Sequence, residues 1–260
     1  MARSHLIAAR EAVQELLWPT RCVGCDDPGS VLCADCAAKL PWIDQRWACP
    51  RCGAPFGHLV CTECRGRWDG DACVSALLHR GTAARLVRTY KDGHEARLAP
   101  VLAAAIATAV DEAASWPGRP ELAGAGRPLG PDEPPPLPPL SPLDLGAVDA
   151  LVFVPATAEA YRRRGFDHME LVARHLAPML GLALADVLIH NRAADQRGLG
   201  REGRAANARG SFEVLGNVAG ANLLLVDDVL TTGASIQAAR EALVSRGAGH
   251  VWTATATRAW

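Results

Sequence analysis

Residues 222–235 read Asn222-Leu-Leu-Leu-Val-Asp-Asp-Val-Leu-Thr-Thr-Gly-Ala-Ser235, and this stretch decides the fold. Leu223 to Val226 run without a polar break, as a strand buried on both faces of a parallel sheet does. The run ends on two adjacent carboxylates, Asp227 and Asp228, and then on Thr231, Thr232, Gly233, Ala234 and Ser235. Ile236, Ala239 and Leu243 keep helical spacing behind that loop, up to a basic last turn and left-handed stop at Arg246-Gly247. The expectation is strand, short loop, helix. Ligands of open α/β sheets sit beyond the carboxyl ends of the strands. A loop of Thr, Ser and Gly entering a helix offers backbone N–H groups, hydroxyls and the positive dipole end to a phosphate. The two carboxylates would repel that phosphate, so they suit sugar hydroxyls or a Mg²⁺ ion.

Phosphate on one side and polyol on the other describe a ribose 5-phosphate. The stretch resembles the signature of the type I phosphoribosyltransferases, which bind phosphoribosyl pyrophosphate (PRPP). Two readings compete with it: an ordinary buried strand ending in acidic residues, and a Walker B strand. No G-x-x-x-x-G-K-[ST] occurs in the chain, which argues against the second. The resemblance implies an α/β fold, a parallel sheet flanked by helices. It assigns ribose and Mg²⁺ contacts to Asp227 and Asp228, and 5-phosphate contacts to Thr231, Thr232, Gly233, Ala234 and Ser235.

At 260 residues the chain can hold one medium α/β domain plus something small. Its formal net charge of −1 excludes a uniformly basic nucleic-acid binder. Only Lys39 and Lys91 among the 27 basic residues are lysines, so arginine clusters carry little information and a lysine carries more. No run approaches the roughly 18 apolar residues of a membrane span. Residues 1–19 read as an amphipathic helix interrupted by Arg10, Glu11 and Glu15 rather than as a signal peptide, so a cytoplasmic protein with reduced cysteines is expected.

Cysteines dominate residues 20–70. Cys22/Cys25, Cys33/Cys36, Cys49/Cys52 and Cys61/Cys64 are four C-x-x-C pairs, and two such knuckles complete a closed structural Zn²⁺ site. Eight ligands suit two zinc ions. The spacing suggests the sequential sets Cys22/25/33/36 and Cys49/52/61/64, with a crossed arrangement and an iron–sulfur cluster as the alternatives. Cys73, before the apolar run Val74 to Leu78, is expected in the core. Six basic and six acidic side chains in this segment argue against phosphate tracking. Trp42, Trp47 and Trp68 are expected to pack beneath a structural or docking module.

Beyond it, a strand over 73–78 and a helix over 82–90 are expected, followed by Lys91 at the helix end and a second helix over 94–114. Lys91 suits a phosphate or, equally, a helix C-terminus. Residues 116–142 hold ten of the 18 prolines and read as a polyproline-like insertion. A second buried strand, 149–154, turns out through Pro155-Ala156-Thr157 into Tyr161-Arg-Arg-Arg-Gly-Phe-Asp-His168. With the cysteine pairs, Arg164-Gly165-Phe166, Gln196, Arg204 and Asn207, the chain resembles the ComF family of competence-related, phosphoribosyltransferase-like proteins. Asp167-His168 stands where that family usually has Asn-Gln, so no catalytic role passes to His168.

The resemblance divides the chain into a double zinc ribbon (20–70) and a phosphoribosyltransferase-like domain (71–260). It places Lys91, Pro155, Ala156, Arg162, Arg163 and Arg164 on the pyrophosphate side, with solvated surface arginines as the plain alternative. Residues 191–210, with Gln196, Arg204 and Asn207, correspond to the loop that closes over substrate in such enzymes. The implied chemistry is Mg²⁺-dependent displacement at the anomeric carbon of PRPP, by positioning and electrostatics. Nothing in the sequence names the acceptor. The alternative is a non-catalytic PRPP- or nucleotide-sensing module, docking competence or DNA-processing proteins or handling single-stranded DNA. Charge does not favour direct DNA binding.

Overall fold

A computed structural model describes residues 19–57, 61–64, 68, 70–115, 143–190 and 210–260. The amphipathic segment, the proline-rich segment, and Gln196, Arg204 and Asn207 lie outside the described residues.

Five parallel strands form the central sheet: β1 (Cys73–Leu78), β2 (Ala150–Phe153), β3 (Ala183–Leu184), β6 (Leu223–Leu230) and β7 (Val251–Arg258). Their spatial order is β1-β7-β6-β2-β3. A separate antiparallel pair joins β4 (Leu188–His190) to β5 (Phe212–Val214). The helices are α1 (Ala34–Ala38), α2 (Gly81–Asp92), α3 (Ala99–Ala114), α4 (Ala158–Arg164), α5 (His168–Leu180) and α6 (Ala234–Ser245).

Alternation along β6 builds two apolar layers. Leu224 and Val226 face α2, α3 and α5, while Leu223 and Leu225 face α6 and the second cysteine knuckle. Each of these four is buried, a contribution of about 1.5–3 kcal/mol apiece. The unbroken apolar reading of this strand therefore reflects cover on both faces.

Three boundaries differ from the sequence expectation. β6 continues through both carboxylates to Leu230, because Asp227, Val229 and Leu230 keep pairing with Thr255, Thr257 and Arg258 of β7. α2 extends to Asp92, so Lys91 sits in its last turn. The expected 94–114 helix begins as a 3₁₀ turn (Ala96–Leu98) and becomes α3 at Ala99, with Pro100 in the first turn, where its missing N–H costs nothing.

The cysteines form two groups, Cys22/25/33/36 and Cys49/52/61/64, so the sequential pairing holds and the crossed one does not. Sulfur–sulfur distances of 3.7 Å (Cys25–Cys33), 3.6 Å (Cys49–Cys64) and 3.7 Å (Cys52–Cys61) match the roughly 3.8 Å edge of a tetrahedron with Zn–S bonds near 2.3 Å. Backbone N–H groups of Gly24 and Cys33 donate to Cys22 Sγ, as a thiolate requires. These donor sets fit structural Zn²⁺. Cys73 is buried outside both groups, as expected. Two of the tryptophans are not core residues: Trp42 and Trp47 are 44% and 49% exposed, and only Trp68, at 5%, is enclosed. Trp42 bridges Leu77 of β1 through its backbone while its indole faces out, whereas Trp68 packs into the cluster beneath the second cysteine group.

Gly24 is required by close approach, since a Cβ there would lie 2.4 Å from Cys36 Sγ. Gly24→Ala is expected to cost the first site its metal, leaving about one zinc per chain by metal analysis. A value of two would show that the knuckle can yield.

Candidate functional site

Strand connections reverse direction between β2 and β6. From β2 the chain crosses to β3 on one side, and from β6 to β7 on the other, while β2 and β6 pair directly from Ala150↔Leu223 to Phe153↔Val226. Such a reversal leaves a crevice at the carboxyl ends, where neither connection covers the strands. Pro155 to Thr157 lie on one side of it, and Asp227, Asp228 and the loop 231–233 on the other.

The loop side follows from local rules. Gly233 adopts φ +80° at the N-cap of α6, a conformation that suits glycine. Gln237 N donates to Gly233 O, the first helical bond, and the N–H groups ahead of it have no partner within the helix. Thr231, Thr232 and Ser235 are exposed there. α6 is 12 residues long, so its dipole places positive potential at this end.

The two carboxylates have different surroundings. Asp228 lies on the same face of β6 as Leu224 and Val226 and is 2% exposed. Its Oδ2 pairs with Lys91 Nζ and lies 3.1 Å from His168 Nε2. Burial works against ionisation, but His168 and Lys91 more than offset it and hold this carboxyl well below the usual carboxylate range. Asp227 is partly exposed, and neither Lys91 nor His168 pairs with it. Burial and the Asp228 charge next door push its carboxyl up. The pair thus divides into one fixed anion and one carboxyl poised to change protonation.

His168 is oriented from behind. Arg164 Nη1 lies 3.3 Å from His168 Nδ1. Arginine can only donate, so Nδ1 accepts and the proton sits on Nε2, on the side of the ring nearer Asp228. The Tyr90 hydroxyl donates to the His168 carbonyl. Arg164 Nε also donates to the Lys91 carbonyl at 3.0 Å, so one guanidinium sets both partners of Asp228. On the far side, Thr257 Oγ1 donates to the Asp228 carbonyl at 3.1 Å, and His79 Nδ1 lies 2.9 Å from the same hydroxyl. The hydroxyl has one proton, so His79 donates.

Asp167 caps α5, accepting from Met169 N at 2.9 Å and Glu170 N at 3.2 Å. Its other oxygen accepts from Ala156 N at 2.6 Å, tying the turn after β2 to α5. That N–H is therefore engaged within the protein. Among the arginines assigned to the pyrophosphate side, Arg164 is turned inward with an 8% exposed side chain, whereas Arg162 and Arg163 are exposed. Lys91, in the last turn of α2, pairs with Asp228 across the crevice floor. His168, Tyr90, His79 and Thr257 had no motif to mark them, because their connections to Asp228 are all long-range. The one available signal was Asp167-His168 itself, where the chain departs from the ComF pattern.

A double zinc ribbon domain matches residues 13–65, and a phosphoribosyl transferase domain matches residues 163–259. The DNA utilization protein YhgH of Salmonella typhi is 28% identical over 228 residues, covering 85% of this chain and 87% of the relative. YhgH of Escherichia coli K12 is 25% identical over 210 residues, covering 78% and 80%. Together these match the ComF family. A solved structure, the glutamine PRPP amidotransferase of B. subtilis with ADP and GMP, aligns with 42% of this chain and 22% of its own at 19% identity and a TM-score of 0.30. Among the described residues no helix is long and apolar enough to cross a membrane.

Lys91→Ala removes the ammonium that pairs with a buried carboxylate and leaves it facing only the His168 imidazole. It is expected to lower the unfolding free energy by roughly 3 kcal/mol, and Lys91→Ala/Asp228→Asn to recover part of that loss. Because the folded Asp228 carboxyl is depressed, its stabilisation is fully present above the unfolded value near 3.9 and is lost as pH falls below it. Denaturant midpoints between pH 5 and pH 2 should fall more steeply for the wild type than for Asp228→Asn. Parallel curves would refute a buried ion pair.

Proposed function

We propose that this chain binds PRPP with Mg²⁺ in the crevice between β2 and β6 and transfers its phosphoribosyl group to an acceptor. The observation that carries this reading is the placement of Asp227 beside the N-terminus of α6 at the point where the strand connections reverse. Thr231, Thr232, Gly233, Ala234 and Ser235 would hold the 5-phosphate through N–H groups and hydroxyls. Asp227 would take the ribose hydroxyls. Asp228, buried against Lys91 and His168, would act as a positioning residue and not touch the sugar. Arg162 and Arg163, exposed at the end of α4, would meet the pyrophosphate, with Gln196, Arg204 and Asn207 closing over it. Mg²⁺ would arrive with PRPP and neutralise the leaving group. The rate would come from fixed electrostatics, with no protein nucleophile. In this reading the domains keep the expected boundaries, with a zinc ribbon over 20–70 and the transferase-like domain over 71–260.

A second reading rests on the relatives, which are named for DNA utilization. Here the PRPP site would sense a nucleotide precursor while the ribbon docks a DNA-processing partner.

Titration calorimetry of PRPP and Mg²⁺ into zinc-loaded protein tests the first reading. Asp227→Asn should weaken binding at least about tenfold, the scale of a lost hydrogen bond to a charged group. Since the Asp227 carboxyl is pushed up, wild-type affinity should fall with decreasing pH at values above the usual carboxylate range, as the site loses its anion. Asp227→Asn should flatten that part of the profile, the phosphate's own titration being common to both proteins. Equal affinities and equal profiles would remove Asp227 from the site. Binding without turnover on any acceptor, together with a shift of single-stranded DNA at low salt, would favour the second reading.

A further inference from the structure

The second cysteine site is connected through Trp68 to the loop assigned to the 5-phosphate. Trp68 N donates to the carbonyl of Cys64, a ligand of that site, at 3.3 Å. The Trp68 indole N–H donates to the Asp71 carbonyl at 3.2 Å, which fixes the ring. The far edge of the ring lies against Gly233: a Cβ built there would meet Trp68 Cζ3 at 3.2 Å and Leu230 Cδ1 at 3.4 Å. Cys49, Cys52, Cys64, Trp68, Leu230 and Ile236 belong to one buried cluster, so the metal ligands and the two ends of the loop share a core.

Arg258 makes a second connection. It sits at the end of β7 with a 6% exposed side chain, and Nη1 donates to the carbonyls of Leu230 at 3.1 Å and Thr231 at 2.6 Å. Its Nη2 lies 3.8 Å from Oε2 of Glu63, a residue between the ligands Cys61 and Cys64. In a trans peptide the C=O and the following N–H point in opposite directions. Holding the carbonyls of Leu230 and Thr231 on Arg258 therefore turns the N–H groups of Thr231 and Thr232 away from it. The first cysteine site makes no comparable contact among the described residues. It meets α2 instead, through Arg85 donating to the Gly24 carbonyl at 2.8 Å.

We propose that the Cys49/52/61/64 metal site sets the geometry of the Thr231–Ser235 loop through Trp68 and the Glu63–Arg258 pair, so that metal at this site and phosphate at the loop strengthen each other's binding. This coupling rests on the reading of that loop as the 5-phosphate site. Binding free energies couple reciprocally, so whatever factor zinc contributes to phosphate affinity, phosphate returns to zinc affinity.

The test uses the full chain carrying two zinc ions and ribose 5-phosphate as the probe, with no Mg²⁺. Zinc affinity is measured by competition with a chromogenic chelator, with and without saturating ribose 5-phosphate. The expected result is that one of the two zinc ions is held about fivefold more tightly with the sugar phosphate, and the other is unchanged. Cys36→Ser, which keeps the second site, should retain the effect. Trp68→Phe should shrink it and weaken ribose 5-phosphate by a similar factor while both zinc ions stay bound. If ribose 5-phosphate binds by calorimetry and both zinc affinities stay the same, the coupling is overturned and the phosphate site stands. If neither ribose 5-phosphate nor PRPP binds the zinc-loaded wild type, the phosphate site falls and the coupling with it.

Discussion

A carboxylate with 2% exposure stays ionised only where an opposite charge and N–H groups meet it, and that requirement at Asp228 organises the centre of the molecule. Lys91 comes from the end of α2 and His168 from the start of α5. Arg164, at the end of α4, fixes both by reaching the Lys91 carbonyl and the His168 ring. Two segments far from β6 in sequence thus bring Lys91 and His168 to one oxygen at the floor of the crevice, with Arg164 behind both. Removing any one of them strands a charge in a low-dielectric layer, so the arrangement persists as a unit.

That unit separates the roles of two neighbouring aspartates. Strand alternation turns Asp228 toward the helical layer, where Lys91 and His168 pair with it, and leaves Asp227 outside that pairing. Fixing one charge raises the proton affinity of the other, since like charges one residue apart resist joint ionisation. A motif of two identical letters therefore encodes a structural anion and a titratable one. The zinc ribbon adds a comparable asymmetry. Its first site leans on α2 and its second on β1 and the loop before α6, so two chemically alike cysteine sets stand in unlike mechanical settings.

Much of this was legible beforehand because it is local. The apolar run of Leu223 to Val226, the four C-x-x-C spacings and the Gly233 turn each follow from chain geometry within a few residues. The strand overran its expected end because β7 offers Thr255, Thr257 and Arg258 as partners past the carboxylates, which no propensity of Asp-Asp could signal. Trp42 and Trp47 proved exposed because burial depends on what packs above a residue and not on its hydrophobicity alone.

The sequence by itself determined the zinc ligands, the strand–loop–helix unit and the parallel α/β class, since each rests on spacing or periodicity that the backbone converts directly into geometry. Only the tertiary structure decided which aspartate is buried, that Lys91 and His168 converge on it, and that Trp68 and Arg258 brace the loop. Those contacts join residues from 27 (Arg258 and Thr231) to 195 (Glu63 and Arg258) positions apart. Their pairing is fixed by strand order and by the matching of charge in a closed core, and neither is written in any short stretch of the chain.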